Sequence, residues 1–127
     1  MSTLKIRLRT LLIAATFLIS LGPLGRIVMA EDAVTADPEH YKVEFENDRV
    51  RVIRITYGPG ERSVMHEHGP GVVVFLNDSH FRFTFPDGTA PEIEGTANVA
   101  QWADAEEHLP ENLRNTPAEV IYVELKD

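Results

Sequence analysis

Alternation of apolar and polar residues with a period of two is the sequence feature that most constrains this fold. It begins at Tyr41, where the stretch "YKVEF" places Tyr41, Val43 and Phe45 on one side and Lys42 and Glu44 on the other. Side chains on a β-strand point alternately to opposite faces, so this pattern is typical of a strand with one buried face. Similar segments follow one another to the end of the chain.

About eight or nine strand-like segments follow each other, with turn signals roughly every 8–12 residues. The continuous apolar run "VVVFL" favours a strand that is buried on both faces. Only the stretch "ADAEE" at 103–107 would allow a single helical turn. Short strands at this spacing predict an all-β sandwich or barrel, for which a jelly roll is one solution. The predicted segments are 41–45, 50–57, 62–68, 72–76, 80–85, 92–102, 106–113 and 118–125.

The first 30 residues have the pattern of a secretory signal peptide. Basic residues between Lys5 and Arg9 precede an apolar run at 10–24, and Val28 and Ala30 are small residues at the positions that a signal peptidase reads. We therefore expect cleavage after Ala30 and a periplasmic or secreted protein. An uncleaved membrane anchor is the alternative, although the apolar run is short for a full span.

The predicted mature chain forms one domain. Residues 31–40, "EDAVTADPEH", are polar and contain a proline, which predicts a flexible leader. Residues 41–127 carry the strand pattern and are long enough for one hydrophobic core. The sequence contains no internal repeat and no linker.

Charge and cysteine content exclude several functions. The full chain has a net charge of −8, and the basic residues of the first 30 positions have no acidic counterparts there, so the mature chain is more acidic still. Such a surface repels nucleic acid and anionic lipid, and we expect neither as a partner after signal cleavage. Without cysteine, the protein has no disulfides, thiolate metal ligands or thiol nucleophile.

Two histidines one residue apart form the strongest candidate site. His66 and His68 lie in "RSVMHEH", and on a strand they project from the same face while Glu67 projects from the other. Two adjacent imidazoles can share one metal ion, and His108 on a later predicted strand is the candidate third ligand. Imidazole suits Fe, Ni, Zn and Cu, and also Mn when carboxylates contribute. The alternative is a pair of surface histidines.

The spacing of these residues resembles the two sequence motifs of cupins. Gly60 stands six positions before His66 and leads into the His-x-His pair, and His108-x3-Asn112 matches the end of the second motif. The stretch from about 41 to 126 is similar to small single-domain exported bacterial cupins. The resemblance implies a jelly-roll barrel, a metal ion held inside it by His66, His68 and His108, and a homodimer formed through sheet edges.

One expected ligand of the cupin motif is absent. The motif places a glutamate a few residues after its second histidine, and Val72 and Val73 occupy those positions here. The metal would then be held by three histidines, with open positions for water, dioxygen or a chelating substrate. Some cupin dioxygenases use three histidines, so the resemblance implies a metal-dependent oxidoreductase of dioxygenase type acting on a small molecule.

Two other functions remain open on the sequence alone. The first is a non-catalytic cupin that binds or senses a small molecule or a metal, since no general base is recognisable beside the histidines. The second is a structural or metal-sequestering β-barrel. The sequence identifies no catalytic or substrate-binding residue.

Several other side chains have expected positions. His80 alternates with phenylalanines, so we expect it at the surface, and His40 lies in the leader. Trp102 is expected in the core, and Asn112 is expected to fix a turn. Glu61 could reach the metal, and one of the acidic residues around His108 could orient its imidazole. Those acidic residues are Glu106, Glu107 and Glu111. Structural packing is the favoured role for four further side chains that could also line a pocket, namely Tyr57, Met65, Phe75 and Phe83.

Overall fold

The computed structural model describes residues 29–127, which form one short helix and nine strands. The predicted all-β fold class is confirmed. The elements are α1 (Ala33–Ala36), β1 (Tyr41–Glu46), β2 (Val50–Tyr57), β3 (His66–His68), β4 (Gly71–Phe75), β5 (Ser79–Thr84), β6 (Glu92–Gly95), β7 (Ala100–Ala103), β8 (Glu106–Asn112) and β9 (Ala118–Leu125).

The strands form two antiparallel sheets. One has five strands in the order β1-β2-β9-β4-β7, and the other has four in the order β3-β8-β5-β6. The two-residue period is clearest in β9, where alternate residues from Ala118 to Glu124 are buried and those between them are half-buried. The helical turn that the sequence allowed at 103–107 is wrong, because β7 ends at Ala103 and β8 begins at Glu106.

Aromatic and branched side chains fill the space between the sheets. Ile53 and Tyr57 of β2, Phe81 of β5 and Tyr122 of β9 are almost fully buried. The hydroxyl groups of Tyr57 and Tyr41 form a buried hydrogen bond of 2.8 Å. Without this bond, two buried hydroxyl groups would lie in the core with no hydrogen-bond partner.

Trp102 was expected in the core, and this expectation is wrong. Its side chain is 58 % exposed, because β7 is an edge strand of the five-stranded sheet. The indole N–H donates a hydrogen bond of 2.8 Å to the carboxylate of Asp104, which holds the ring at the rim of the barrel.

Residues 31–40 pack against the barrel, in contrast to the flexible leader that their polar composition predicted. Ala33 in α1 is 1 % exposed, and α1 lies against β1 and β3. The Asp32 carboxylate caps α1 and pairs with Arg51 of β2. The carbonyl oxygen of Glu31 accepts a hydrogen bond of 3.0 Å from the backbone N–H of Glu67. Composition did not predict the contacts with Arg51 and Glu67 because both join residues far apart in the sequence.

The predicted signal peptide, residues 1–30, lies almost wholly outside the described residues, so its cleavage stays a prediction. Within residues 29–127, no helix has both the length and the apolar character that crossing a membrane requires.

Candidate metal centre

The antiparallel pairing of β3 with β8 brings four polar side chains to one face. His66 lies directly opposite His108, and His68 lies directly opposite Glu106. Residues two apart on a strand share a face, and so do directly paired residues on neighbouring strands. His66 and His108 are 0 % and 4 % exposed, so this face points into the barrel.

His68 and His108 approach each other through their Nε2 atoms, which are 3.2 Å apart. The Nδ1 atom of His68 lies 3.0 Å from the hydroxyl oxygen of Tyr122 and 3.2 Å from the carbonyl oxygen of Gly69. Because the Tyr122 hydroxyl donates its proton to Gly69, both of these oxygens accept from His68. Nδ1 of His68 therefore carries the proton, and its Nε2 has a free lone pair.

His66 has the same tautomer for a similar reason. Its Nδ1 donates to the carbonyl oxygen of Val64 at 2.9 Å, and the hydroxyl oxygen of Ser63 lies 3.3 Å from the same nitrogen. Its Nε2 atom is buried and has no hydrogen-bond partner. The ring centroid of His66 lies 5.2 Å from that of His108 and 6.4 Å from that of His68. An unpartnered lone pair in the interior is the property expected of a metal ligand.

Glu106 contributes a carboxylate that the sequence analysis did not assign as a ligand. One carboxylate oxygen lies 2.7 Å from Nδ1 of His108, at an angle outside hydrogen-bond geometry. Among the described residues, His68, Glu106 and His108 offer ligand atoms that all lie within 4.8 Å of one another. His66 stands beside this group, so the predicted set of His66, His68 and His108 stays a prediction.

Comparison with solved structures identifies the fold. A cupin domain from Bordetella pertussis Tohama I superposes with a TM-score of 0.64 at 25% identity, over 68% of this chain and 92% of that one. A cupin with a double-stranded β-helix fold from Methanocaldococcus jannaschii gives 0.53 at 11% identity, over 67% and 77%. This chain has the cupin fold. The polyketide cyclase RemF from Streptomyces resistomycificus gives 0.51 at 16% identity, over 68% and 64%.

The resemblance inferred from the two cupin motifs is thus supported by structure rather than by sequence comparison. No protein-family model matches the sequence, and no curated protein matches it. Gly60 of the first cupin motif adopts a φ of 69°, a left-handed conformation that favours glycine. Asn112 of the second motif is fully buried and donates to the carbonyl oxygens of Gly58 and Thr116, so it fixes the chain as expected.

Burial keeps two histidines of this protein uncharged at neutral pH. Desolvation, followed by the neighbouring His108, lowers the pKa of His66 and of His68 to about 4. The adjacent His108 imidazole lowers the pKa of Glu106 below its ordinary value. At pH 7, His66 and His68 are therefore neutral and Glu106 is a carboxylate, which are the protonation states that bind a divalent metal.

The glutamate missing from the first cupin motif is replaced by an apolar surface. Val73 lies on β4 and lines the cavity, and Val72 pairs with Trp102. Glu61 does not reach the histidine face either. Its carboxylate accepts from the backbone N–H of Gly58 at 2.6 Å and contacts Nε2 of His40 at 3.0 Å.

A cavity of about 310 Å³ opens beside His68 and His108. Its wall is mostly apolar, and of the four residues that the sequence offered as candidates for pocket lining it includes all but Met65. Trp102, Asp104 and Glu106 also line it, and the described lining residues include neither lysine nor arginine. This volume and apolar character are typical of small-molecule sites.

His40 and His80 lie outside both this cavity and the paired face of β3 and β8. His80 is half-buried on β5 and contacts the Glu92 carboxylate at 2.9 Å, in line with its predicted position on the outer face. His40 stacks on Tyr57 with ring centroids 4.4 Å apart, and its Nδ1 lies 2.7 Å from the Asp37 carboxylate. Sequence reasoning assigned His40 no role because its contacts with Tyr57 and Glu61 arise only from tertiary packing.

The pairing of Glu106 with His68 follows from the strand register. In an antiparallel pair, once His66 lies opposite His108, the residue two positions after His66 must lie opposite the residue two positions before His108. The sequence holds this signal, but reading it requires knowing which strands pair.

Proposed function

We propose that this protein is a metal-binding cupin that holds a divalent transition metal through His68 and His108, with His66 and Glu106 completing the site. The observation that carries the proposal is the 3.2 Å separation of the His68 and His108 Nε2 atoms. Two imidazole nitrogens that each lie about 2.1 Å from one ion can be this far apart. Without metal, Nε2 of His108 donates to the unprotonated Nε2 of His68.

The surrounding residues suit such an ion. The unpartnered Nε2 of His66 supplies a further neutral donor on the same face. Glu106 supplies a negative charge, either as a ligand or by orienting His108 through Nδ1. Fe, Mn, Ni, Zn and Cu all accept such a set of donors.

We propose a small molecule as the second ligand, bound in the apolar cavity. A metal in such a site supplies Lewis acidity or open positions for oxygen ligands. The chain contributes an apolar wall that excludes water, and the Tyr122 hydroxyl, which fixes the tautomer of His68. A metal-dependent oxidoreductase of dioxygenase type is the reaction class we propose.

A binding or sensing module is the second candidate, and one observation favours it. The only carboxylates among the described cavity-lining residues are Asp104 and Glu106. Asp104 accepts from the indole of Trp102, and Glu106 lies against His108. Neither is a free general base, so turnover would depend on the metal alone.

Export and dimerisation complete the proposal. The composition of residues 1–30 supports a periplasmic or secreted location. Strands β1 and β7 are the edges of the five-stranded sheet, and Phe45 and Trp102 on them are 54 % and 58 % exposed. Pairing through such an edge would give a homodimer and cover unpaired strand groups. The mass of the purified protein in solution tests this.

Elemental mass spectrometry of the purified protein tests the metal proposal. We expect close to one transition-metal ion per chain in the wild type and none in the variant His68→Ala/His108→Ala. His80→Ala, which removes a histidine from the outer face, should keep the metal. A wild-type protein that stays empty after incubation with each of the five metals would contradict the proposal. Oxygen uptake with candidate substrates then separates the enzyme from the binding module.

A further inference from the structure

The segment before β1 reaches the metal face through one hydrogen-bonded chain. We propose that Asp37 is a positioning residue that fixes the tautomer of His66 through Ser63. This inference rests on the proposed metal function, in which His66 is a donor. Asp37 belongs to the segment that the sequence predicted to be a mobile leader.

The chain of contacts is continuous and mostly buried. The Ser63 hydroxyl donates to a carboxylate oxygen of Asp37, and the Ser63 oxygen lies 3.3 Å from Nδ1 of His66. Ser63 is 7 % exposed, and the side chain of Asp37 is 11 % exposed. Solvent therefore competes little for these hydrogen bonds.

The direction of donation follows from the proton count. A serine hydroxyl has one proton, and Ser63 gives it to Asp37, so its oxygen can only accept from His66. The carbonyl oxygen of Val64 also only accepts, at 2.9 Å from the same Nδ1. Both acceptors place the proton of His66 on Nδ1 and leave Nε2 bare.

Asp37 is itself held firmly. The Nδ1 atom of His40 lies 2.7 Å from the Asp37 oxygen that accepts from Ser63. The backbone N–H of Asp37 donates to the carbonyl oxygen of Ala33 at 2.9 Å, which closes α1. Burial alone would raise the pKa of Asp37, but hydrogen bonds from Ser63 and His40 lower it overall, so the group is a carboxylate at neutral pH.

The variant Asp37→Asn tests whether Asp37 controls the tautomer of His66 or only anchors the segment before β1. An amide can donate to the Ser63 oxygen, which frees the Ser63 proton to point at Nδ1 of His66. Only the Val64 carbonyl then still favours a proton on Nδ1, so the population of the opposite tautomer rises. Asp32→Asn is the matched control, because Asp32 anchors the same segment through Arg51 and has no contact with Ser63. Ser63→Ala removes the link, whereas Ser63→Thr keeps a hydroxyl group at the same position.

Long-range ¹H–¹⁵N NMR of the metal-free protein reads the tautomer directly. We expect His66 to be protonated on Nδ1 in the wild type, in Asp32→Asn and in Ser63→Thr, and to shift towards protonation on Nε2 in Asp37→Asn. Affinity for Zn(II) should fall about tenfold or more in Asp37→Asn and in Ser63→Ala, the range seen when partners of ligand histidines are lost. It should stay within about twofold of wild type in Asp32→Asn.

The tautomer of His66 and the affinity for Zn(II) together distinguish failure of this inference from failure of the proposed function. An unchanged His66 tautomer in Asp37→Asn, or an equal loss of Zn(II) affinity in Asp32→Asn and Asp37→Asn, overturns the positioning role. If the wild type stays empty with Zn(II) and with each of the other four metals, the proposed function fails, but the tautomer of the metal-free protein still decides whether Asp37 controls His66. Thermal unfolding of each variant identifies any that do not fold.

Discussion

His66 on β3 lies directly opposite His108 on β8, in an antiparallel register that also sets His68 opposite Glu106. One pairing therefore collects three imidazoles and one carboxylate on the inner face of the four-stranded sheet. The five-stranded sheet covers this face with tyrosines, and the ring centroids of Tyr41 and His66 are 4.7 Å apart. Two paired strands and the sheet that covers them therefore form the site together.

Removing the carboxylate of Glu106 should weaken metal binding. In Glu106→Gln the side chain keeps its size but loses its charge, so it no longer supports His108 or donates an anionic oxygen. We expect affinity for Zn(II) or Co(II) to fall about 10–100-fold, measured by calorimetric titration. Glu107→Gln is the control, because Glu107 pairs with Glu67 on the opposite face. Equal affinities in the two variants would exclude a role for Glu106.

Tyr122→Phe should weaken the hold on the tautomer of His68, leaving the Gly69 carbonyl as the one acceptor for Nδ1. The substitution removes the hydroxyl that contacts Nδ1 of His68 and donates to the carbonyl of Gly69. Loss of buried hydrogen-bond partners should lower the free energy of unfolding by about 1–3 kcal/mol, measured by urea titration. Metal affinity should fall as well. Tyr41→Phe, which breaks only the bond to Tyr57, should lose stability but keep its metal affinity.

Acid should destabilise the metal-free protein over a defined pH range. His66 and His68 have pKa values of about 4 when folded, against an ordinary value of 6.5. The unfolded chain therefore binds more protons between these values, and the free energy of unfolding should fall as pH falls from about 6.5 towards 4. Each histidine contributes a slope of at most about 1.4 kcal/mol per pH unit.

Denaturant titrations at several pH values measure this slope, and a matched variant isolates its source. The variant His66→Gln/His68→Gln should show a flatter dependence between pH 6.5 and 4. His40 acts in the opposite direction, because contacts with Asp37 and Glu61 outweigh burial and raise its pKa, so its contribution is lost as pH rises. A wild-type slope that survives the double substitution would assign the acid sensitivity to other groups.

Gly71→Ala tests the packing of β4 against β9. A Cβ atom at position 71 would lie 2.2 Å from the carbonyl oxygen of Val123, and a backbone atom cannot move aside cheaply. We expect the free energy of unfolding to fall by about 1–3 kcal/mol, measured by thermal or urea unfolding. Gly69→Ala is the control, since its nearest neighbour is a side-chain atom of Glu124 at 3.4 Å. Comparable losses in both variants would contradict this packing.

The prediction of the strands succeeded because strand formation depends on a local pattern. Every described strand falls within or close to a segment with alternating or continuous apolar character, from Tyr41 to Leu125. The shared face of His66 and His68 follows from the same period. Trp102 shows where a local pattern fails. Its apolar side chain predicted burial, but the order of the strands places it on an edge strand, where it is exposed.

The sequence by itself determined the all-β class, the strand positions and the pairing of two histidines on one face, since each depends only on residues near one another in the chain. The tertiary structure alone decided that Glu106 joins His68, that Nε2 of His68 meets Nε2 of His108, and that Asp37 reaches His66 through Ser63. Apart from the contact of Ser63 with His66, these contacts join residues from 26 to 40 positions apart. They depend on strand register and sheet packing, which no local pattern encodes.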